Sequence, residues 1–449
     1  MVVNEFLKET IPPFLINRIR EIKKARHLKV ATVLKEAWEG KRADVHCARK
    51  AVLPPHRVVI IPGDQTKLFE SCGEDAMIMA TASMVLQANP AAEITVLVTS
   101  KEAEAAGRDR GFRTASIWND GEFVDTVARF YRELGPDAIF VVGADLIDGY
   151  YGEIWAAKLL IAADIAARME IPVSILGFSF NRNPSALVLD ILNELHQDVV
   201  LNVREQTSLE RLHRLTSARG IIVADSAFSL RAETTPSVEA IASWVAQHQR
   251  TGQKVVAFNI HPMLFPRASR EQIKTLIAKS ADALSEVSKL RRVAWLLLPH
   301  DFREELGDEI CLRPLMNRLQ PSLGNYIRYF EGEHLASVLK GVSGTLDGIV
   351  TARMHLAIAG LGQRVPVAGL AYQDKFEGLF GHFELSEEFL LSPSAVLEND
   401  NLRELLLRFY DNIPRLKEMV IRRLPAVTAL SEVNFGILQS NQPAARFIR

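Results

Sequence analysis

Ala138-Ile139-Phe140-Val141-Val142, then Glu153 to Met169, then Val173-Ser174-Ile175-Leu176 is the stretch that decides the fold. The two short runs show little polar alternation, as expected of strands buried on both faces, and the segment between them places apolar residues at helical spacing. Strand, helix and strand in that order make a β-α-β unit with parallel strands. The same alternation extends towards the N-terminus through Phe123 to Leu134, Ile94 to Val98, Glu74 to Leu86 and Val58 to Ile61. Towards the C-terminus it continues with Val199 to Val203, Ser208 to Leu215 and Ile221 to Ala224. Residues 228–252 break the rhythm: Thr234-Thr235-Pro236 opens a helical segment that Thr251-Gly252 closes. The alternation restarts with Val255 to Ile260, Val293 to Leu298, Tyr326 to Phe330, Gly348 to Thr351 and Val365 to Leu370. The expectation is an α/β protein of two Rossmann-like doubly wound domains facing across a cleft. They span 58–235 and 253–400, joined by a linker helix at 236–252, with helical extensions at 1–57 and 401–449. Open parallel sheets bind ligands at the carboxyl ends of their strands, so the site belongs in the cleft, and the architecture suggests a two-domain transferase.

Composition agrees with a globular protein. The 449 residues carry 53 Lys+Arg against 54 Asp+Glu, with 48% hydrophobic and 24% charged, which excludes disordered, collagenous and coiled-coil classes. The net charge of −1 hides an asymmetry: residues 1–57 hold 13 basic and 6 acidic residues, net +7, leaving 40 against 48, net −8. A solvated helical face accounts for the basic end better than nucleic acid, since no Lys/Arg run exceeds two and aromatics do not interleave. Peripheral contact with an anionic membrane at its inner face is the other use such a segment has. Cys47, Cys72 and Cys311 are far apart, which argues against a disulfide framework or a zinc site and for a cytoplasmic location. The first residues show neither the basic nor the apolar region of an export signal, and no apolar run approaches the ~18 residues of a membrane span.

Several catalytic signatures are missing. There is no Walker A, Asp-x-Asp, His-Glu-x-x-His or Gly-x-Ser-x-Gly sequence, and Gly360-Leu361-Gly362 follows a helix, the wrong order for a dinucleotide loop. No metal and no cofactor is expected.

The most informative motif is Gly348 to Ala359, which places Arg353 and His355 where a strand turns into a helix. Free N–H groups and the guanidinium fork suit a carboxylate or phosphate, and His355 can move a proton near neutral pH. The plainer reading, an Arg capping a carbonyl and a His packed in the seam, has equal weight on spacing alone. Arg204 repeats the arrangement after Val199 to Val203, and Lys375 follows Val365 to Leu370; either alone is an ordinary surface cation. Pro62-Gly63-Asp64 and Gly73-Glu74-Asp75 form a glycine-containing loop and helix start able to hold an acceptor. Asp145 and Asp148 end a strand and fit hydroxyl binding, general base or capping roles. His261 and His300 stand at strand ends of the second domain, where a structural hydrogen bond is the default use.

Together these pieces resemble the polysaccharide pyruvyl transferase family. Arg353-Met354-His355, then Val365-Pro366, then Tyr372-Gln373-Asp374-Lys375-Phe376-Glu377-Gly378 looks like that family's Arg-x-His, Val-Pro and Tyr-x-x-Lys-x-x-Gly series. Gly73 to Met77, Val142 to Asp148, Gly177-Phe178-Ser179, Val203-Arg204-Glu205, Asp225 to Phe228 and Leu298 to Asp301 support it, over residues 58 to 385. Two departures fall on the acceptor side: the family's Gly-Asp-Glu is inverted to Gly73-Glu74-Asp75, and Ala144 and Asp145 replace part of its glycine cluster. The resemblance implies a GT-B-like arrangement. It also implies transfer of the pyruvyl group of phosphoenolpyruvate to two hydroxyls of a sugar, oligosaccharide or lipid-linked glycan, forming a ketal and releasing phosphate. Arg204, Arg353, His355 and Lys375 would bind the donor. His355, Arg353 and Asp145 would be catalytic, and Gly73, Glu74, Asp75 and Asp148 would contact the acceptor. The alternatives are a GT-B glycosyltransferase using a nucleotide sugar, whose diphosphate the same cations suit, and a non-catalytic carbohydrate-binding protein.

Overall fold

The computed structural model describes residues 28–42, 53–118, 122–265, 268–304, 306–370, 375–398 and 400–439. In the first half, β1 (Arg57–Ile61), β2 (Glu93–Leu97), β3 (Arg113–Ala115), β4 (Ala138–Val141), β5 (Val173–Phe178), β6 (Val199–Val203) and β7 (Gly220–Ile222) form a parallel sheet in the order β3-β2-β1-β4-β5-β6-β7. Helix α1 spans residues 28–41. It is followed by α2 (Cys72–Ala88), α3 (Lys101–Asp109), α4 (Phe123–Leu134), α5 (Glu153–Arg168), α6 (Ala186–Glu194) and α7 (Gln206–Leu215). Alternate residues of β1 feed two different cores, Val58 and Ile60 one and Val59 and Ile61 the other, which is why the strand is apolar throughout.

Helix α8 (Pro236–Arg250) follows β7 in the chain and precedes the first strand of the second sheet. In the second half, β8 (Lys254–Asn259), β9 (Val293–Leu297), β10 (Ile327–Tyr329), β11 (Gly348–Thr351), β12 (Val367–Leu370) and β13 (Leu390–Leu391) form a parallel sheet ordered β10-β9-β8-β11-β12-β13. Its helices are α9 (Arg270–Leu290), α10 (Glu309–Leu323), α11 (Ala336–Ser343), α12 (Met354–Gly362), α13 (Lys375–Phe383) and α14 (Pro393–Leu397). The long α15 (Asn401–Glu432) completes them. Each sheet reverses its strand order at a central pair, β1/β4 and β8/β11, where the crevices of such sheets open.

Two strands go beyond the sequence reading. The edge strand β3 is Arg113-Thr114-Ala115, exposed or half-exposed and without an apolar run, and β13 has only two residues. Strand β12 starts at Val367 rather than Val365, because Pro366 has no N–H for the ladder and serves only as acceptor to Ile349 N, 3.0 Å away.

After α15 the chain returns to the first half. Asn434 Nδ2 donates to Ala224 O at 2.9 Å, its Oδ1 accepts from Gly177 N at 2.7 Å and its carbonyl from Ser174 Oγ at 2.9 Å. From α11, Lys340 Nζ donates to the carbonyls of Ala227, Phe228 and Leu230 at 3.2, 2.9 and 2.7 Å.

Helix α1 docks on the first half through buried Trp38, whose Nε1 donates to Asp164 Oδ2 at 2.7 Å. Its cations pair within the chain, Lys35 with Asp190 at 2.5 Å and Lys41 with Asp125 at 2.7 Å. The remainder of the basic segment, including residues 1–27 and 43–52 with Cys47, lies outside the described residues. Cys72 and Cys311 are free and buried, and no described helix is long and apolar enough to cross a membrane.

Candidate functional site

Strands of both sheets end at one cleft, a cavity of about 400 Å³. Beyond β11, Thr351 Oγ1 accepts from Arg353 N at 2.9 Å, and Arg353 caps α12 in an extended conformation. All three of its guanidinium nitrogens are engaged: Nε donates to Asp308 Oδ1 at 2.8 Å, Nη2 to Leu306 O at 2.9 Å, and Nη1 lies 3.1 Å from Asp301 Oδ2. Asp308 is fully buried and is itself fixed by Asn259 Nδ2 at 2.7 Å and His300 N at 2.8 Å. Burial pushes the Asp308 carboxyl up while Arg353 pulls it down. Arg303 shares Asp301 with Arg353, so two guanidinium groups line this wall against two carboxylates.

His355, one residue into α12, presents Nε2 at 3.5 Å from Asp225 Oδ2. Its other edge lies against Gly73 in the first turn of α2, where a Cβ would stand 2.5 Å from Nδ1. That contact across the halves requires glycine at residue 73.

Arg204, just past β6, does not present an open fork. It is 2% exposed: Nε donates to Ser179 Oγ at 2.8 Å and Glu205 Oε1 at 3.0 Å, Nη1 to Asp225 Oδ2 at 2.8 Å, and Nη2 to Asp145. Lys375 Nζ, at the start of α13, also donates to Asp145. Lys375, Asp145, Arg204 and Asp225 thus form one run of alternating charge that ends against the His355 imidazole, with its two ends supplied by the second half and its middle by the first. Burial alone would raise Asp145, but Lys375 and Arg204 bring it down to about 2. Burial likewise opposes His355 and Arg204 at Asp225, and they hold it well below the usual carboxylate range. Asp145 is the accessible carboxylate of the run, its side chain 28% exposed against 2% for Asp225.

The backbone keeps the geometry of a glycine loop although the sequence departs from it. Ala144 has φ +46°, and a Cβ on Gly143 would meet Leu176 O at 2.1 Å.

On the opposite wall Glu74 is buried, with Oε1 accepting from Asp64 N at 2.7 Å, and burial pushes its carboxyl up to about 8. The other expected acceptor carboxylates do not face this cleft. Asp75 is buried, accepting from Arg110 Nη1 at 2.9 Å and Ala336 N at 2.7 Å, and so ties α2 to α11. Asp148 closes a turn by accepting from Tyr150 N at 2.8 Å and Asn181 N at 3.0 Å, and borders a neighbouring pocket. His261 is fully buried with Nε2 3.1 Å from Ala352 O, and burial lowers its pKa, leaving it a structural imidazole. His300 does line the cleft, but burial and nearby cations push it down to about 3.

Asp225, Asp301, Arg303 and Asp308 belong to the site without being among the expected site residues, although Asp225 and Asp301 stand in two of the stretches that carry the family resemblance. Asp225 follows a strand end as Arg204 does, and Asp301 adjoins His300, so position and the motifs together mark both. Asp308 carries no such mark, since only the folded loop brings it to Arg353.

Two parallel α/β domains facing a common cleft define the GT-B class of fold, and solved structures bear this out. UDP-GlcNAc 2-epimerase from Neisseria meningitidis bound to UDP-GlcNAc is 12% identical with a TM-score of 0.53, over 86% of this chain and 100% of that one. The S. aureus MnaA-UDP co-structure is 11% identical, TM-score 0.55, over 86% and 98%. A glycosyltransferase from Rickettsia africae is 11% identical, TM-score 0.51, over 86% and 99%. No curated protein matches the chain in sequence. The polysaccharide pyruvyl transferase family model matches residues 72–374, most of the chain, and the protein belongs to that family.

Proposed function

We propose that the protein transfers the pyruvyl group of phosphoenolpyruvate to two hydroxyls of a glycan sugar, with the cleft as active site. The observation that carries this reading is Arg353 beside His355 at the start of α12, both lining the cavity, with the guanidinium fixed by Asp308 and Asp301. A small, highly charged anion needs such a cluster of oriented cations to replace its hydration.

In this scheme Arg353 binds the donor carboxylate and Lys375 the phosphate. His355 gives a proton to the methylene carbon as C2 gains cationic character and the first sugar hydroxyl adds to it. The C2–O bond to phosphate then breaks and the second hydroxyl closes the ketal. Of the two hydroxyl protons released, one balances the proton taken up by carbon and the other leaves with phosphate. Asp145 gives up Lys375 to the phosphate and turns to the acceptor hydroxyls. Glu74, neutral at pH 7, serves as hydrogen-bond donor on the acceptor side. No step calls for a metal or cofactor.

Thermal unfolding with phosphoenolpyruvate, and separately with UDP- and GDP-sugars, tests the donor. A ligand at 100-fold above its Kd adds about 2.7 kcal/mol, a rise of several degrees. The expected result is a rise with phosphoenolpyruvate that Arg353→Lys abolishes, because a point charge does not replace a bidentate fork. A rise only with a nucleotide sugar would make the protein a glycosyltransferase and these cations a diphosphate clamp.

A further inference from the structure

A second pocket, about 280 Å³, opens beside the cleft and shares Asp145, Tyr151 and Lys375 with it. From it we infer that the sugar next to the reacting one in the glycan acceptor sits in a separate subsite here, against Tyr150 and Tyr151; this rests on the sugar-acceptor reading above.

Three observations carry the inference. Tyr150 and Tyr151 border the pocket while 52% and 49% exposed, and their rings meet edge to face at 5.0 Å. Adjacent aromatic rings in water at a pocket mouth match the apolar C–H face of a pyranose, which polar side chains alone do not. The lining mixes both signs: Arg182 and Arg211 stand with Asp148 and Glu205. Such a lining repels a phosphate on its carboxylates, yet suits a neutral polyol, since every hydroxyl both donates and accepts. Finally, the shared wall lies at the charge run. A chain seated on the tyrosines therefore leads its next residue to Asp145 and the proposed reaction centre.

The fold fixes the lining of this pocket. Asp148 holds the Tyr150 and Asn181 amides, and Gly149, at φ +79°, allows the turn that exposes both rings.

The test compares monosaccharide methyl β-glycosides of glucose and galactose with cellobiose, lactose and their trisaccharides. Phosphate release from phosphoenolpyruvate and saturation-transfer NMR are the two readouts. The expected result is a kcat/KM at least tenfold higher for a disaccharide than for its monosaccharide, and Tyr150→Ala removes that advantage. Ring protons of the second sugar give the stronger NMR transfer, and they lose it in the same variant. Equal kcat/KM for mono- and disaccharides, or an advantage that survives Tyr150→Ala and Tyr151→Ala, overturns the subsite. Tyrosine-dependent disaccharide binding without phosphate release would uphold the subsite and refute the donor reading instead. Absence of NMR transfer to every saccharide refutes the subsite. Both tyrosines are about half exposed, so the variants keep the core, and unchanged thermal unfolding checks this.

Discussion

Gly73→Ala is the sharpest perturbation of the site, because two effects of opposite sign meet at one atom. Alanine is the better helix former by about 1 kcal/mol, so helix propensity alone predicts a more stable α2. The added Cβ, however, would stand 2.5 Å from His355 Nδ1, 2.9 Å from its Cγ and 3.1 Å from its Cε1. Restoring an ordinary 3.4 Å contact at Nδ1 needs a shift of 3.4 − 2.5, about 0.9 Å, and the Asp225 carboxylate limits retreat on the other edge at 3.5 Å. Overpacking of this kind costs about 1–3 kcal/mol, so the melting temperature falls rather than rises. A displacement near 1 Å at a group that must hand over a proton costs about 100-fold in rate. The assay is phosphate release from phosphoenolpyruvate with a saccharide acceptor, alongside thermal unfolding. A variant that is more stable and keeps its full kcat/KM would refute both the contact and the role given to His355.

Asp145→Asn acts on the charge run. Removing the anion that shares Arg204 and Lys375 tightens phosphoenolpyruvate binding by roughly tenfold in Kd, read by calorimetry, while kcat falls about 100-fold as the hydroxyl-orienting carboxylate is lost. Weaker donor binding would show that Asp145 does not compete with the donor. Glu74→Gln tests the buried acid. The folded-state pKa of about 8 lies above the ordinary value of 4.5, so its protonated form stabilises the fold below pH about 4.5, and that contribution is lost as pH rises through 8. Glutamine keeps the oxygen that accepts from Asp64 N and cannot ionise. The variant therefore gains on wild type as unfolding is followed from pH 5 to pH 9, and a constant difference across that range would place the Glu74 carboxyl in water.

Much of the fold is legible in the sequence because strands buried on both faces leave short apolar runs that alternate regularly with longer helical segments. Where burial is partial the signal fails, as at Arg113-Thr114-Ala115. The Arg353–His355 wall of the cleft is legible for a related reason. Arg353 and His355 sit at a strand-to-helix junction whose direction follows from the β-α-β rule, so their side of the sheet is set before any contact is known. What sequence does not carry is which charges neutralise one another. Arg204 reads as an anion clamp until the fold brings Asp145, 59 residues upstream, and Asp225, 21 residues downstream, onto its nitrogens. Asp75 reads as an acceptor ligand until Ala336, 261 residues away, takes it as a helix cap. Both outcomes depend on contacts between distant segments, which a local pattern does not encode.

The Asn434 contacts set an order of events at the ribosome. The carbonyl of Ala224 and the amide of Gly177, both inside the first domain, are satisfied by an amide more than two hundred residues downstream. At roughly 5–20 residues per second, their partner is synthesised about 10–40 s after the first domain's last strand. During that interval the first domain can form its sheet, but the seam behind β5 and β7 stays open to water until the segment that carries Asn434 arrives. Emergence of the segment that carries Asn434, rather than completion of the first domain's strands, is then the moment at which this seam closes.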